Sequence, residues 1–151
     1  MELKVDFKGL DELKKAFDLL PKRVAVKAAS KAVREGAKII QKAARAKVPV
    51  DTGNLRRSIS VKILNKKRDA MQVAALIGPG TGYFSKRGKN KGKRANDGFY
   101  GFFVEYGTAK TAAEPFMRPA YDENTGAVQQ KIMDVIGEAI EAEAQKLYGK
   151  R

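Results

Sequence analysis

The chain has 151 residues, of which 43% are hydrophobic and 32% are charged, a length and balance typical of one folded domain. It contains no cysteine and no histidine, which excludes cysteine nucleophiles, histidine-dependent acid–base catalysis, disulfide scaffolds and nearly all structural zinc sites. Its apolar runs are far shorter than the roughly 20 residues of a membrane-spanning helix, and its acidic, lysine-containing start does not resemble a signal peptide. We therefore expect a soluble protein that is made and used in the cytoplasm.

The net charge is the largest departure from an average protein. Lysine and arginine outnumber aspartate and glutamate by 31 to 17, which gives +14. Residues 1–98 carry 25 basic and 9 acidic side chains, whereas residues 99–151 carry 6 and 8. Two interpretations of this asymmetry are open: a surface that faces nucleic acid, or complementary ends that pair head to tail between identical subunits.

Two helices are predicted at the start of the chain. Leucine and phenylalanine recur at spacings of three and four over residues 10–20, which predicts an amphipathic helix. Pro21 suits the start of a second helix that runs to about Lys47. This helix is expected to end before Pro49, because a residue that precedes proline avoids the α region.

Two faces are predicted on the second helix. Small residues recur at alternating spacings of four and three, which predicts close packing against a sheet or another helix. This small-residue face consists of Ala25, Ala29, Ala32, Gly36, Ile39, Ala43 and Ala46. Basic residues repeat with a similar spacing and form a basic face, which is either a solvated helix surface or a surface that faces a polyanion. Its members are Lys27, Lys31, Arg34, Lys38, Lys42 and Arg45.

A tight turn and a β-hairpin follow the second helix. Residues 51–53 combine two capping residues with a glycine and predict the turn, and residues 54–58 predict one helical turn. Alternating apolar residues predict strands over 59–63 and 71–77, joined by a polar turn at 65–69.

Residues 78–101 are rich in glycine, and the stretch 86–94 within them is basic without any acidic residue. Such a segment cannot bury apolar surface, so we expect a loop that is flexible over about residues 82–98. It is either a solubilising loop or an arm that neutralises phosphates without reading base sequence. The candidate contacts to DNA or to a partner protein are Lys86, Arg87, Lys89, Lys91, Lys93 and Arg94.

The last third of the chain ends in a long helix. Residues 99–106 are apolar and predict a strand or a short helix, in which Glu105 is expected to have a partner such as a basic side chain or backbone amides. Residues 119–148 predict the final helix, with an interruption near 124–126. Its apolar stripe consists of Val128, Ile132, Val135, Ile136, Ala139, Ile140 and Leu147.

No set of residues builds a credible active site. Asp51-Thr52-Gly53 matches the triplet of aspartic proteases, but Pro49 precedes it by two residues and a helical turn is predicted where that class has a strand. The glycine-rich segment lacks the spacing, and the serine or threonine, of a phosphate-binding loop. We expect a protein that is not an enzyme and uses no cofactor and no metal. The acidic residues expected on a solvated helix face are Asp122, Glu123, Asp134, Glu138, Glu141 and Glu143.

Three segments of the chain occur in an informative order. They are VPVDTGNLRRSI at 48–59, FVEYGT at 103–108 and AEPFMRPAYD at 113–122, with a lysine- and alanine-rich helix before them and a long helix after them. In these segments the chain resembles the HK97 gp10-like family of tailed-phage proteins, which are neck or tail-completion components of siphophages and their prophages. The basic insertion at 82–98 departs from the family pattern, in a region where lengths vary.

The resemblance implies an α+β fold in one domain over residues 1–151, with long N-terminal helices and a C-terminal helix packed on a small, mainly antiparallel β-sheet and with a long basic loop. It implies a non-enzymatic virion protein of the head–tail junction that forms or joins a ring of six or twelve subunits around the DNA channel. The implied partners are head-closure and tail-terminator or tail-tube ring proteins and genomic DNA, contacted without sequence preference. No membrane partner is implied.

The resemblance also implies that the three segments shape turns and anchor helices. The first would shape the turn between the long helix and the sheet, and Glu105 in the second would pair with Arg56 or Arg118. The implied structural residues are Asp51, Thr52, Gly53, Leu55, Arg56, Glu105, Tyr106, Gly107, Thr108, Pro115, Phe116, Met117, Arg118 and Pro119.

A second hypothesis is a non-viral nucleic-acid-binding module, whose functional surface is the basic face and the basic loop. It predicts a monomer or dimer whose affinity for duplex DNA or RNA falls steeply with salt. The phage hypothesis predicts instead self-assembly, or assembly on a partner ring, with weak DNA binding in free solution.

Overall fold

The structure is a computed structural model that describes residues 10–51, 53–65, 72–80, 98 and 100–148. Its two strands form one antiparallel sheet. The predicted α+β class, with long helices towards both ends and a small antiparallel sheet, is confirmed. The elements are α1 (Leu10–Asp18), α2 (Lys22–Lys47), α3 (Asn54–Ser58), β1 (Ile59–Asn65), β2 (Val73–Pro79), α4 (Gly101–Tyr106), α5 (Met117–Asp122) and α6 (Thr125–Tyr148).

The helix α2 begins and ends where Pro21 and Pro49 predict. The carbonyl of Pro21 accepts hydrogen bonds from the N–H groups of Val24 and Ala25 at 2.8 and 3.0 Å. Proline is tolerated there because the first N–H groups of a helix have no partner within the helix. At the other end, the N–H of Val48 donates to the carbonyl of Ala44 at 2.9 Å, and the helix stops before Pro49.

The predicted small-residue face of α2 is right in the first half of the helix and wrong in the second. An alternating spacing of four and three averages 3.5 residues per turn, whereas the α-helix has 3.6, so the pattern drifts by about 20° every seven residues. Buried as predicted are Ala25, Ala29, Ala32 and Gly36. In the second half Ala37, Ile40 and Ala44 are buried, as is Val48 directly after the helix, while Ile39 and Ala43 are half-buried and Ala46 is exposed.

The chain divides into two compact units, the first of which takes in the described residues of Met1–Gly36, Ile63–Ala75 and Ala127–Arg151. Within it, α2 and α6 approach closely at Gly36. A Cβ built on Gly36 would lie 3.0 Å from Val128 Cγ1 and 3.2 Å from Ile132 Cγ1, which is tighter than ordinary van der Waals contact. The missing side chain therefore permits this helix pair.

The second unit takes in the described residues of Ala37–Lys62 and Leu76–Gly126. Phe116 and Ile59 are the largest fully buried side chains of the described chain, and both lie in this unit. Gln41 Nε2 and Arg45 Nη2 both donate hydrogen bonds to the carbonyl oxygen of Ile59, at 2.9 and 2.7 Å. Two polar side chains of α2 thus hold the first residue of β1 at the core.

The structure shifts one predicted element, decides an alternative left open for a second and confirms a break predicted in a third. β2 runs over Val73–Pro79, about two residues later than the predicted 71–77. The apolar run before Gly107 contains a helix, α4, because a short apolar run does not distinguish strand from helix and tertiary contacts decide. The break in the final helix is confirmed, since α5 ends at Asp122 and α6 begins at Thr125.

The apolar stripe of α6 is buried in its first half and ends before the last turn. Val128 and Val135 are buried, whereas Leu147 is 69% exposed. The prediction that Leu147 belongs to the stripe is wrong, because the helical spacing of apolar residues continues past the packed part of the helix. The half-buried members are Ile132, Ile136, Ala139 and Ile140.

Part of the predicted organisation lies outside the described residues. This applies to residues 66–71, which include most of the predicted polar turn, and to 82–97 of the basic loop. The assignment of one domain to residues 1–151 stays a prediction. No described helix is both long enough and apolar enough to cross a membrane.

Replacing Gly36 with leucine is expected to lower the free energy of unfolding by about 1–3 kcal/mol, the usual cost of overpacking a core. The side chain would have to displace Val128 and Ile132 on α6. Urea denaturation of the purified variant measures this change.

The matched control is Gly137→Leu on α6. Apart from its chain neighbours and the backbone of its own helix, a Cβ at Gly137 meets no heavy atom within 4 Å in the described part of the chain, so this change is expected to be neutral or to stabilise by up to about 1 kcal/mol through helix propensity. Equal losses of stability in the two variants would contradict the close approach at Gly36.

Candidate interaction site

Glu105 is a buried carboxylate on α4. Its Oε2 accepts hydrogen bonds from the backbone N–H groups of Phe116 and Met117 at 2.7 and 2.9 Å, and its Oε1 accepts one from the N–H of Arg118 at 3.0 Å. These amides lie at the start of α5, where helix N–H groups have no partner within the helix. One carboxylate therefore satisfies three backbone donors and joins α4 to α5. We call this arrangement the Glu105 clamp.

The structure decides between the two kinds of partner predicted for Glu105. Its hydrogen-bond partners within the described chain are backbone amides, and the side chain of Arg56 is not among them. Arg118 contributes its backbone N–H and its positive charge instead of a side-chain hydrogen bond. The predicted ion pair is therefore replaced by amide binding, because the three N–H groups converge on the carboxylate.

The pKa of Glu105 reflects a competition. Burial raises the pKa, but the hydrogen bonds from the N–H groups of Met117, Phe116 and Arg118, together with the charge of Arg118, outweigh burial. The pKa of Glu105 therefore lies below its ordinary value. The clamp holds an ionised carboxylate at neutral pH.

The loop between α4 and α5 is closed by a glycine and a threonine. Gly107 has a φ of 73°, and a Cβ there would lie 2.8 Å from the backbone nitrogen of Ala113, so a side chain does not fit. Thr108 forms a backbone bridge with Thr111, and its Oγ1 accepts a hydrogen bond from the N–H of Thr111 at 3.1 Å. This geometry gives the loop a fixed path towards the amides that Glu105 binds.

Three aromatic side chains of α4 lie on the surface. Phe102, Phe103 and Tyr106 are 64%, 49% and 56% exposed. The ring centroids of Phe102 and Tyr106 are 4.7 Å apart, and those of Phe102 and Phe103 are 6.1 Å apart. The guanidinium carbon of Arg118 lies 5.7 Å from the centroid of the Tyr106 ring. We call these four side chains the aromatic surface.

Sequence reasoning misses the exposure of Phe102 and Phe103. An apolar run is ordinarily a core element, and nothing in the residue types marks these rings as solvent-facing. The signal that could have found them is Glu105 itself. A carboxylate in a short helix is buried when it has specific partners, and in α4 it occupies the inward face.

The turn between α2 and β1 contains a left-handed glycine and a buried leucine. Gly53 has a φ of 74°, and Leu55 is 3% exposed. Ser58 Oγ donates a hydrogen bond to the carbonyl of Leu55 at 2.7 Å. Asp51 is exposed, and Thr52 lies outside the described residues.

An open cavity of about 520 Å³ adjoins this turn. It is lined by Arg45, Val50, Asp51, Gly53, Arg56 and Arg57.

The basic face of α2 is exposed except at its last member. Arg45 is half-buried, and its hydrogen bond to Ile59 gives it a structural role that the spacing of charges does not reveal. Lys31 and Glu138 form a long ion pair, with 4.0 Å between Nζ and Oε2, and both side chains are well exposed. Such pairs contribute little to stability. The exposed members are Lys27, Lys31, Arg34, Lys38 and Lys42.

The remaining predicted site residues fall into separate environments. In the third segment, Phe116 is fully buried and Pro115 is exposed, while Pro119 is half-buried. The basic loop residues, from Lys86 to Arg94, lie outside the described chain.

Among described residues no group of acidic side chains could hold a metal ion. The predicted acidic set is exposed except for Glu143, which is half-buried.

The sequence profile of the HK97 gp10-like family, whose description reads "Bacteriophage HK97-gp10, putative tail-component", matches residues 11–107. The match covers more than half of the chain and includes both the turn at Gly53 and helix α4. The chain therefore belongs to this family of phage tail components. No curated protein and no solved structure matches it.

Replacing Glu105 with glutamine is expected to lower the free energy of unfolding by about 1.5–3 kcal/mol, the range for hydrogen bonds to a charged group. Glutamine has one acceptor oxygen, and its NH₂ group would face a backbone donor. Thermal or urea denaturation measures the loss. Glu114→Gln, which removes the same charge from an exposed residue, is the control and should change stability by less than about 0.5 kcal/mol.

The clamp also predicts a dependence of stability on pH. Because the folded chain lowers the pKa of Glu105, the contribution of this carboxylate is complete above its ordinary value of 4.5 and is lost as the pH falls through the lowered pKa. The stability difference between the wild type and Glu105→Gln should therefore be largest near neutral pH and shrink in acid. Urea denaturation over a pH series measures it. A difference that stays constant with pH would argue against the clamp.

Proposed function

We propose that this protein is a structural subunit of the phage head–tail junction, a neck or tail-completion protein that assembles with identical copies into a ring around the DNA channel. Its neighbours in the virion would be head-closure and tail-terminator or tail-tube ring proteins. The observation that carries the proposal is the aromatic surface of α4, in a chain that belongs to a family of phage tail components.

The composition of the aromatic surface favours a protein partner. Aromatic residues and arginine are enriched at the energetic centres of protein interfaces. Phe102, Phe103 and Tyr106 leave much of their ring area in water in the single chain, and covering apolar area stabilises a complex by about 25 cal/mol per Å² before the costs of association.

The Glu105 clamp supports the same conclusion. It binds the backbone of Arg118, whose guanidinium lies over the ring of Tyr106. The helix that carries the rings is therefore held before any partner binds. A surface that is already ordered loses less conformational entropy on association.

The distribution of charge supports a head-to-tail contact between copies. The excess of basic side chains lies in residues 1–98, and residues 99–151 are slightly acidic. Complementary surfaces of opposite charge on one chain favour a heterologous interface, and a heterologous interface closes into a ring when its rotation permits.

The net charge of +14 also suits a protein that lies next to DNA. Basic side chains that face a polyanion contribute binding without base contacts, and this binding weakens with salt. We include the basic loop from Lys86 to Arg94 among the proposed contacts to DNA or to a neighbouring ring protein. No catalytic step is part of the proposal.

The solution mass of the purified protein tests the proposal. Light scattering at two salt concentrations, with and without duplex DNA, should give a discrete oligomer of about six or twelve subunits, and the number of subunits should not depend on DNA. A monomer that changes mass only with DNA at low salt would favour the non-viral nucleic-acid-binding module instead.

The variant Phe102→Lys is expected to abolish or shift assembly while the chain keeps the far-UV circular-dichroism spectrum of the wild type, because the ring is exposed in the single chain and surface substitutions have small effects on the fold. Sedimentation velocity measures the assembly. Leu19→Lys, a charge placed on a leucine that is 86% exposed, is the control and should assemble as the wild type does. Unchanged assembly of Phe102→Lys would remove the aromatic surface from the interface.

A further inference from the structure

We infer that the cavity beside the turn at Gly53 is a phosphate-binding site for the backbone of a nucleic acid. The inference depends on one part of the proposed function, namely that the protein lies next to DNA. The site is the juxtaposition of Arg45, Arg56 and Arg57 around one open cavity of about 520 Å³. We call it the arginine cavity.

The charge of the arginine cavity favours an anion. Three guanidinium groups and one carboxylate, that of Asp51, line it. The carboxylate opposes an anion, but basic side chains outnumber acidic ones by three to one among the lining residues. A guanidinium presents planar pairs of N–H donors that match the oxygens of a phosphate, so arginine is favoured where phosphates are bound.

Arg45 has hydrogen-bonding capacity that the described chain does not use. Its Nη2 donates to the carbonyl of Ile59 at 2.7 Å, which fixes the position of the guanidinium. Its Nε is buried and makes no hydrogen bond within the described chain. A buried donor without a partner is costly, and Arg45 also lines the cavity, where an oxyanion would balance the charge of its guanidinium.

Arg57 is positioned before any ligand binds. Its Nη2 donates to Asn54 Oδ1 at 2.8 Å. A Cβ built on Gly53 would lie 3.3 Å from Arg57 Nη1, so the guanidinium lies close above the glycine and a larger residue would crowd it. Two of the three guanidinium groups are thus held in place, which lowers the entropic cost of binding.

The shape of the cavity and the charge of the chain favour a polymer over a small anion. The cavity is open to solvent at the protein surface, and Arg56, which lines it, is exposed. A phosphate of a nucleic-acid backbone can enter such a site while its neighbours stay in water. The net charge of +14 attracts a polyanion over longer distances.

The test compares Arg56→Gln with Arg23→Gln. Both remove one positive charge from an exposed arginine, but only Arg56 lines the cavity. The affinity of each full-length protein for a fluorescent duplex of about 20 base pairs is measured by anisotropy at about 50 and 200 mM salt. Arg56→Gln should bind at least about fivefold more weakly than Arg23→Gln, and the salt dependence should fall by about one counterion.

Equal weakening in the two variants would mean that net charge alone drives binding and would overturn the inference, as would a wild type that does not bind the duplex. A second arm adds inorganic phosphate and follows the melting temperature. If phosphate stabilises the wild type but not Arg56→Gln, while duplex affinity is the same in both variants, the site takes free phosphate and the inference is wrong.

A further measurement distinguishes a failure of this inference from a failure of the proposed function. The solution mass of Arg56→Gln is measured alongside, and it should equal that of the wild type. Ring assembly without cavity-dependent duplex binding would contradict the phosphate site alone. Cavity-dependent binding by a protein that never assembles would contradict the ring alone.

Discussion

The described second unit depends most on one interaction. Three successive backbone amides donate hydrogen bonds to the carboxylate of Glu105. They join two short helices that local propensity alone would not hold, since isolated helices of six residues are unstable in water. The same contacts place Phe116 in the core and turn the rings of Phe102 and Tyr106 to the solvent. One buried charge therefore orders a fold element and an exposed surface together.

The two candidate contact surfaces, one aromatic and one cationic, both belong to the second unit. A smaller cavity of about 250 Å³ is lined by Gly53 and Leu55 from the turn. Val104 of α4 and Tyr100, the residue before α4, also line it. The turn and the aromatic helix thus face each other within one unit. A subunit that contacts both protein neighbours and a polyanion needs surfaces of these two chemistries, because apolar area stabilises one contact and guanidinium groups the other.

Much of the helical organisation could be predicted from the sequence, because it depends on local signals. Pro21 and Pro49 bound α2, and the break before Thr125 follows from polar residues that cap and bond locally, as Asn124 does to the carbonyl of Ala120. The second half of the small-residue face could not be predicted correctly. Its error comes from extending a 3.5-residue repeat along a helix of 3.6 residues per turn, so that Ala44 is buried where Ala43 was expected.

The sequence by itself determined the α+β class, the family and the exclusion of cysteine and histidine chemistry, since composition, periodicity and ordered motifs are properties of the chain alone. Only the tertiary structure decided the partners of Glu105, the role of Arg45 and the exposure of Phe102. A backbone amide or carbonyl carries no mark of residue type, so nothing in the sequence shows that three amides converge on Glu105 or that the carbonyl of Ile59 receives Arg45. Such contacts depend on where folding places the backbone, and that is settled by the packing of the unit as a whole.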